Sequence, residues 1–176
     1  YQLEAAPSFK SHISVLLNIS EDHLERYSNV NNYSLIKKKI FHNLKSNQYA
    51  IIGIDDSKSN LIYKEIKKLS NKVIPISINR NSSKGVSVVK GKIIDNYFQN
   101  PSLNLLNIKL NIETENNLQN ILATYVVAKI LGYSNNLFLK AIKKFKGLKH
   151  RAQIIYQKNN FVIVNDSKAT NLSAAI

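Results

Sequence analysis

Apolar positions along this 176-residue chain fall into short unbroken runs, separated by stretches with a longer period. Residues 12–19 (HISVLLNI), 49–55 (YAIIGID) and 72–78 (KVIPISI) are rich in β-branched residues and have the length of buried strands. Pro75 has no N–H to give, which predicts that the third run lies away from the centre of a sheet. Residues 86–94 alternate and pivot at Lys90-Gly91, predicting a hairpin, and residues 103–112 predict a further strand. Between these runs the pattern is helical. Ser20 is placed to cap a helix with Glu21 and Asp22 in its first turn. Residues 31–46 and 60–70 are amphipathic, 118–131 form a long apolar helix closed by Gly132, and 135–145 form a helix closed by Gly147. Strand and helix alternate from residue 12 to residue 147. That order predicts an α/β domain with a largely parallel sheet flanked by helices. Beyond Gly147, residues 152–156 and 161–164 predict a strand pair around 158–160, followed by a polar loop at 165–171. Two parts are therefore expected: 1–147, and 148–176 as the first strands of a second α/β domain. There is no internal repeat.

Composition narrows the function. Zero Cys removes disulfides, thiolate metal sites and cysteine nucleophiles. No apolar run reaches the ~18–20 residues that span a bilayer and no leader pattern opens the chain, so the expected compartment is the cytoplasm, with no membrane partner. Zero Met leaves no initiator, which predicts an internal piece of a longer protein. The net charge of +14, from 25 Lys+Arg against 11 Asp+Glu, is the balance of a nucleic-acid binder. The lysines, however, are spread along the chain and aromatic residues do not interleave with them as a stacking platform requires. No nucleic-acid partner is expected.

Four stretches and one arginine carry candidate chemistry. Residues 85–93 (GVSVVKGKI) come nearest to a phosphate-binding loop, but the glycines are one residue too far apart and Ile93 stands where a magnesium-binding hydroxyl is needed. Residues 18–23 (NISEDH) leave the carboxyl end of a strand, where open α/β sheets place ligands. His23 there is either a metal ligand or base, or a solvent-exposed first-turn histidine. In the helix from Asn31, Tyr33, Ile36, Ile40, Phe41 and Leu44 share one stripe at ~100° per residue. Lys37 falls inside that stripe, while Lys38 and Lys39 point away. A charged lysine on a buried face must be paired, neutralised or chemically changed, or must snorkel to the surface. Residues 165–171 (NDSKATN) follow a strand. Asp166 suits ribose hydroxyls and Lys168 an anion, and the same residue types also build ordinary capped turns. Arg151 is either an anion fork or a surface arginine.

Taken in order, these stretches resemble the Mur ligases of peptidoglycan synthesis. Residues 1–4 (YQLE) match the end of that family's ELSS(F/Y)QLE segment, and residues 17–26 (LNISEDHLER) its N-(I/V)-(S/T)-x-D-H-(L/M)-(D/E)-R segment. Residues 33–41 match Y-x-x-x-K-x-x-I-(F/Y), with Lys37 at the lysine the family carbamylates. Residues 147–151 (GLKHR) match G-L-x-H-R, with Lys149 in place of the usual Pro. NDSKATN is the segment that sets the D-glutamate-adding members apart from their sisters. The family's G-x-H-N-x-x-N segment stands here as TENNLQN at 114–120, with both asparagines kept and Gly and His replaced.

The resemblance implies an activity. ATP phosphorylates the carboxylate of UDP-N-acetylmuramoyl-L-alanine, and the amine of D-glutamate attacks the acyl phosphate to give an amide. It also implies site residues. His23 and Lys37, the latter as a CO2-derived carbamate, would hold Mg2+. Asn117, Asn120, His150, Arg151 and Asp166 would hold ATP, with Asp166 on the ribose. Lys168 and Thr170 would face the intermediate and the incoming D-glutamate, with His23 also touching substrate. The family's phosphate loop and magnesium-binding Glu would lie upstream of Tyr1, and the full-length enzyme would be a monomer. A sister ligase or a folylpolyglutamate synthase would share the central domain, and NDSKATN argues against both. A basic nucleic-acid-binding module is the reading from another class. It predicts salt-sensitive binding without nucleotide preference.

Overall fold

The structure is a computed structural model that describes residues 2–22, 24–70, 72–106, 108 and 115–169. Within these residues one sheet runs in the order β1 (Ile13–Leu16), β2 (Tyr49–Gly53), β3 (Val73–Ser77), β4 (Val86–Val89), β5 (Lys92–Asp95) and β6 (Leu103–Asn104). The first four strands are parallel; β5 and β6 continue the sheet antiparallel. The helices are α1 (Gln2–Ala5), α2 (Leu24–Tyr27), α3 (Val30–Lys38), α4 (Ser57–Ile66), α5 (Glu115–Ile130) and α6 (Asn135–Lys144). A separate antiparallel hairpin follows, β7 (Gln153–Lys158) with β8 (Phe161–Asn165). The expected largely parallel α/β sheet is present.

The continuous apolar runs reflect burial on both faces. Successive side chains of β2 point to opposite sides. Ile51 joins Ile74, Ile76, Leu122, Tyr125 and Phe138 beneath α5 and α6. Ala50 and Ile52 join Tyr33, Phe41, Ile62 and Ile66 beneath α3 and α4. A parallel sheet with helices on both faces needs apolar residues at every position, so its strands do not alternate. The stripe that begins on α3 packs as expected, with Tyr33, Ile36, Ile40, Phe41 and Leu44 all in the second cluster.

Several expectations are corrected. The helix expected to run to residue 46 ends at Lys38 and tightens into a 3-10 turn at Lys39–Phe41. Bonds from His42 N–H to Lys39 O (3.0 Å) and from Leu44 N–H to Phe41 O (3.1 Å) drop Phe41 into the core. Pro75 sits inside the sheet, buried between β2 and β4. The carbonyls of Lys72 and Ile76 face β2, where they accept from Ala50 and Ile54. Alternation therefore turns Pro75 toward β4, whose ladder begins only at the Ile76–Val86 pair. The missing N–H falls where no partner is needed. Ser20 caps no helix, because residues 21 and 22 are not helical. The strand expected over 103–112 is only Leu103–Asn104 among the described residues. Asn104 Oδ1 accepts the N–H of Leu106 at 2.9 Å, an Asx turn that ends it. Residues 86–95 form the expected hairpin with φ of 48° at Lys90 and 70° at Gly91, a turn that matches strand twist. That geometry removes residues 85–93 as a phosphate loop.

Candidate functional site

The carboxyl ends of β1 to β3 are laced together by short polar side chains. Gly53 ends β2 against β1: a Cβ there would collide with the Leu17 carbonyl oxygen, so only glycine lets the strands meet. The chain then leaves β1 through residues 18–22. Asn18 Nδ2 donates to Gln119 Oε1 on α5 at 2.8 Å. The N–H of Ile19 donates to Asp56 Oδ2 at 3.3 Å. Asp56 also caps α4, its Oδ1 accepting from Ser59 N–H at 2.8 Å. Held from both sides, the loop runs along the sheet edge rather than into the helix expected at residue 21. Asp55 accepts from the Ser77 hydroxyl and from the N–H groups of Ile78 (2.9 Å) and Asn79 (3.3 Å), tying β2 to β3. His23 and Thr170 lie outside the described residues.

The segments singled out by sequence meet in two places. On α1, Glu4 Oε2 accepts from Arg26 Nη2 and from Tyr27 Oη on α2, both at 2.9 Å. The Tyr27 hydroxyl bond is the main reason the Glu4 carboxyl titrates below its usual range, and Arg26 acts in the same direction. On the hairpin, the segments around residues 150 and 166 pair. Lys168 N–H donates to the His150 carbonyl at 3.0 Å, and Asn165 Nδ2 lies 3.2 Å from His150 Nδ1. Ala152 N–H donates to Asp166 Oδ1 at 3.0 Å. His150 (φ 63°) and Ala152 (φ 44°) are both left-handed, a costly backbone for non-glycine residues that clusters at functional loops. His150, Arg151 and Lys168 are exposed, and Asp166 is half-buried. One Asp166 oxygen is therefore engaged by its own hairpin.

On α3, Lys37 is half-buried with Nζ 5.0 Å from the centre of the Tyr33 ring, and it makes no ion pair among the described residues. Lys38 does not point freely to solvent: its Nζ pairs with Glu65 Oε2 on α4 at 2.9 Å. Lys39 is exposed. On α5, Asn117 is half-buried and Asn120 exposed. Three residues apart, they share a helix face. Gln119 is buried on another side of that helix and turns toward the sheet edge. Sequence reasoning missed Gln119 and Asp56. Nothing in the sequence signals Gln119, whereas Asp56, three residues ahead of Ser59, is an ordinary N-cap signal.

A largely parallel sheet that gathers polar loops and a helix start at the carboxyl ends of its strands is an α/β domain of the kind that takes ligands there. The chain belongs to the Mur ligase family: the family model described as the Mur ligase middle domain matches residues 2–128. Curated relatives called UDP-N-acetylmuramoylalanine--D-glutamate ligase include the one from Rickettsia prowazekii (strain Madrid E), 39% identical over 177 residues that take in all of this chain and 39% of the relative. The relative of that name from Thermoanaerobacter sp. (strain X514) is 32% identical over 176 residues, all of this chain and 38% of the relative. The chain thus spans about two fifths of the length of these relatives. A crystal structure of MurF from Acinetobacter baumannii superposes with a TM-score of 0.71 at 21% identity, over 93% of this chain and 35% of that one. MurF ligase from Thermotoga maritima in complex with ADP gives 0.66 at 19%, over 93% and 37%. At these identities the likeness to MurF is one of fold.

Proposed function

We propose that this chain is the central part, with the opening of the following domain, of an ATP-dependent ligase that joins D-glutamate to UDP-N-acetylmuramoyl-L-alanine in peptidoglycan synthesis. The observation that carries this reading is similarity over the whole chain to relatives of that name, 30–39% identical. The paired segments around His150 and Asp166 support it, because they bring a cation, a carboxylate and strained backbone to one end of one hairpin.

In this reading Asn117 and Asn120 hold adenine from one face of α5. Asp166 accepts from the ribose, and His150 and Arg151 bind the nucleotide beside it. Lys168 and Thr170 face the reacting carboxyl group and the amine of D-glutamate. ATP phosphorylates the alanyl carboxylate with release of ADP, the amine attacks the acyl phosphate and gives up a proton, and the tetrahedral intermediate collapses to an amide and phosphate. Positioning is most of the catalysis in such a transfer. Among the described residues no three His, Asp or Glu gather into a metal site. Lys37 fits the remaining role: it is half-buried and, among the described residues, has no acidic partner, which leaves its amine open to CO2. Magnesium would be held by the Lys37 carbamate and His23, and would offset the charge on the transferring phosphoryl group. Nucleotide contacts on both sides of Gly147 make closure of two domains, 1–147 and 148–176, part of the cycle. Among the described residues no helix is long and apolar enough to cross a membrane. We place the reaction in the cytoplasm and expect a monomer.

The test is phosphate release by the full-length protein carrying this chain, given ATP and UDP-N-acetylmuramoyl-L-alanine with a panel of amino acids. D-glutamate alone should support turnover. Turnover with another amino acid instead would make this a sister ligase.

A further inference from the structure

The loop that leaves β1 and the helix that begins at Glu115 approach the site from different parts of the chain, 101 residues apart, yet one side-chain hydrogen bond joins them. Asn18 Nδ2 donates to Gln119 Oε1 at 2.8 Å, and Gln119 is 7% exposed. Next to it, Ile19 N–H is held by Asp56, the cap of α4. Residues 18–22 therefore cannot shift without pulling on the start of α5 or breaking a bond to a buried amide. Gln119 lies one residue before Asn120 and two after Asn117, but on another side of the helix. Its side chain is inside, while Asn120 is exposed. The same turn of helix presents the Asn120 amide outward and an anchor inward.

Resting on the function proposed above, we infer that Asn18 and Gln119 are positioning residues that couple the nucleotide-binding turn of α5 to the loop leaving β1, which in that reading leads to the substrate side of the site and serves the UDP-sugar carboxylate. Neither touches a reacting atom. The bond makes the two ligand sets share one geometry, so occupancy of one favours the other, and the effect is reciprocal. A single neutral hydrogen bond limits this coupling to about tenfold or less.

The experiment is calorimetry on the full-length protein. It measures the Kd of a non-hydrolysable ATP analogue with and without saturating UDP-N-acetylmuramoyl-L-alanine. The wild type should bind the analogue severalfold tighter in the presence of the UDP-sugar. Asn18→Ala and Gln119→Ala should each bring that ratio close to one, and the double variant should lose no more than either single one. Gln119→Glu should keep the ratio, because a carboxylate oxygen still accepts from Asn18. Melting temperatures are read alongside. Asn18 is exposed, so Asn18→Ala carries the test even if Gln119→Ala fails to fold. A wild-type ratio of one, an Asn18→Ala ratio equal to a raised wild-type ratio, or additive losses would overturn the coupling. Failure of the wild type to bind either ligand would instead overturn the proposed function.

Discussion

The buried hydroxyl of Tyr125 on α5 donates to Asp95 Oδ2 at the end of β5, at 2.8 Å. Asp95 is itself 5% exposed and accepts three further bonds, from Tyr97 N–H (3.1 Å), Phe98 N–H (2.8 Å) and Asn100 Nδ2 (2.8 Å). One carboxylate thus closes the turn after β5 and fastens the long helix to the antiparallel side of the sheet. Replacing it with Ala strands two backbone N–H groups, an amide and a hydroxyl. Asp95→Ala should cost about 3 kcal/mol or more in urea denaturation, and Tyr125→Phe about 1–2 kcal/mol.

That pair also sets an alkaline limit. Burial first, and then the hydrogen bond to Asp95, push the Tyr125 hydroxyl well above its usual pKa. In the unfolded chain the proton leaves sooner as pH rises. The stabilisation is therefore complete below the ordinary tyrosine range and declines as pH climbs through it. Burial shifts Tyr27 and Tyr97 the same way. Stability of the wild type should fall on the alkaline side, and Tyr125→Phe should fall less steeply over the same titration.

At the acid end the sign reverses. Glu4 titrates below its usual range because the Tyr27 hydroxyl and Arg26 favour its charged form. Its contribution is present above the ordinary carboxylate range and is lost as pH drops through the lowered value. Wild type should be more stable than Glu4→Gln at neutral pH, and the difference should vanish in acid. A difference that stays constant on acidification would show that Glu4 acts through packing alone.

Lys37 should separate from its neighbours in turnover assays of the full-length protein. Lys37→Ala should lose most activity and regain part of it with added acetate, which supplies the lost carboxylate. Lys37→Arg should stay inactive, since a guanidinium takes up no CO2. Lys39→Ala should change little. Lys38→Ala should remove only the partly exposed pair with Glu65, worth about 1 kcal/mol at most. Equal behaviour of the three alanine variants would leave Lys37 as a helix lysine stacked on Tyr33.

Asp166 should answer to two readouts. Asp166→Ala loses both the acceptor for Ala152 N–H and the proposed ribose contact, and should weaken ATP binding by about 1–3 kcal/mol. Asp166→Asn keeps an oxygen for Ala152. It should restore the hairpin's hydrogen-exchange protection while ATP binding stays weaker than in the wild type. Full nucleotide affinity in both variants would make Asp166 a turn residue only.

The sheet was legible in the sequence wherever burial on both faces wrote itself as an unbroken apolar run, as in residues 49–53 and 73–77. What misled was local chemistry overridden from a distance. Pro75 reads as an edge residue, but the decisive fact is which neighbour its missing N–H faces, and pairing register decides that. Ser20 reads as a helix cap, but Asn18 and Ile19 are already bound to Gln119 and Asp56. Around the site, motif order brought out the segments around residues 150 and 166, which the hairpin pairs through Ala152 with Asp166 and Asn165 with His150. The tie between Asn18 and Gln119 joins residues too far apart in the chain for any local pattern to announce it.

The change from parallel to antiparallel pairing at β4 also gives the sheet an order of assembly. β4 and β5 close over the two residues Lys90 and Gly91, a local step that takes on the order of microseconds. β1 meets β2 only when Ile13 finds Tyr49, after the helical crossover between them has folded back. The antiparallel side is thus the natural nucleus, and β1, the strand that leads into the loop at residues 18–22, joins last. Gly91→Ala should slow refolding, because it strains a left-handed turn and crowds Leu106. Ser14→Ala on β1, which removes a bond to the Ile40 carbonyl, should act mainly by speeding unfolding.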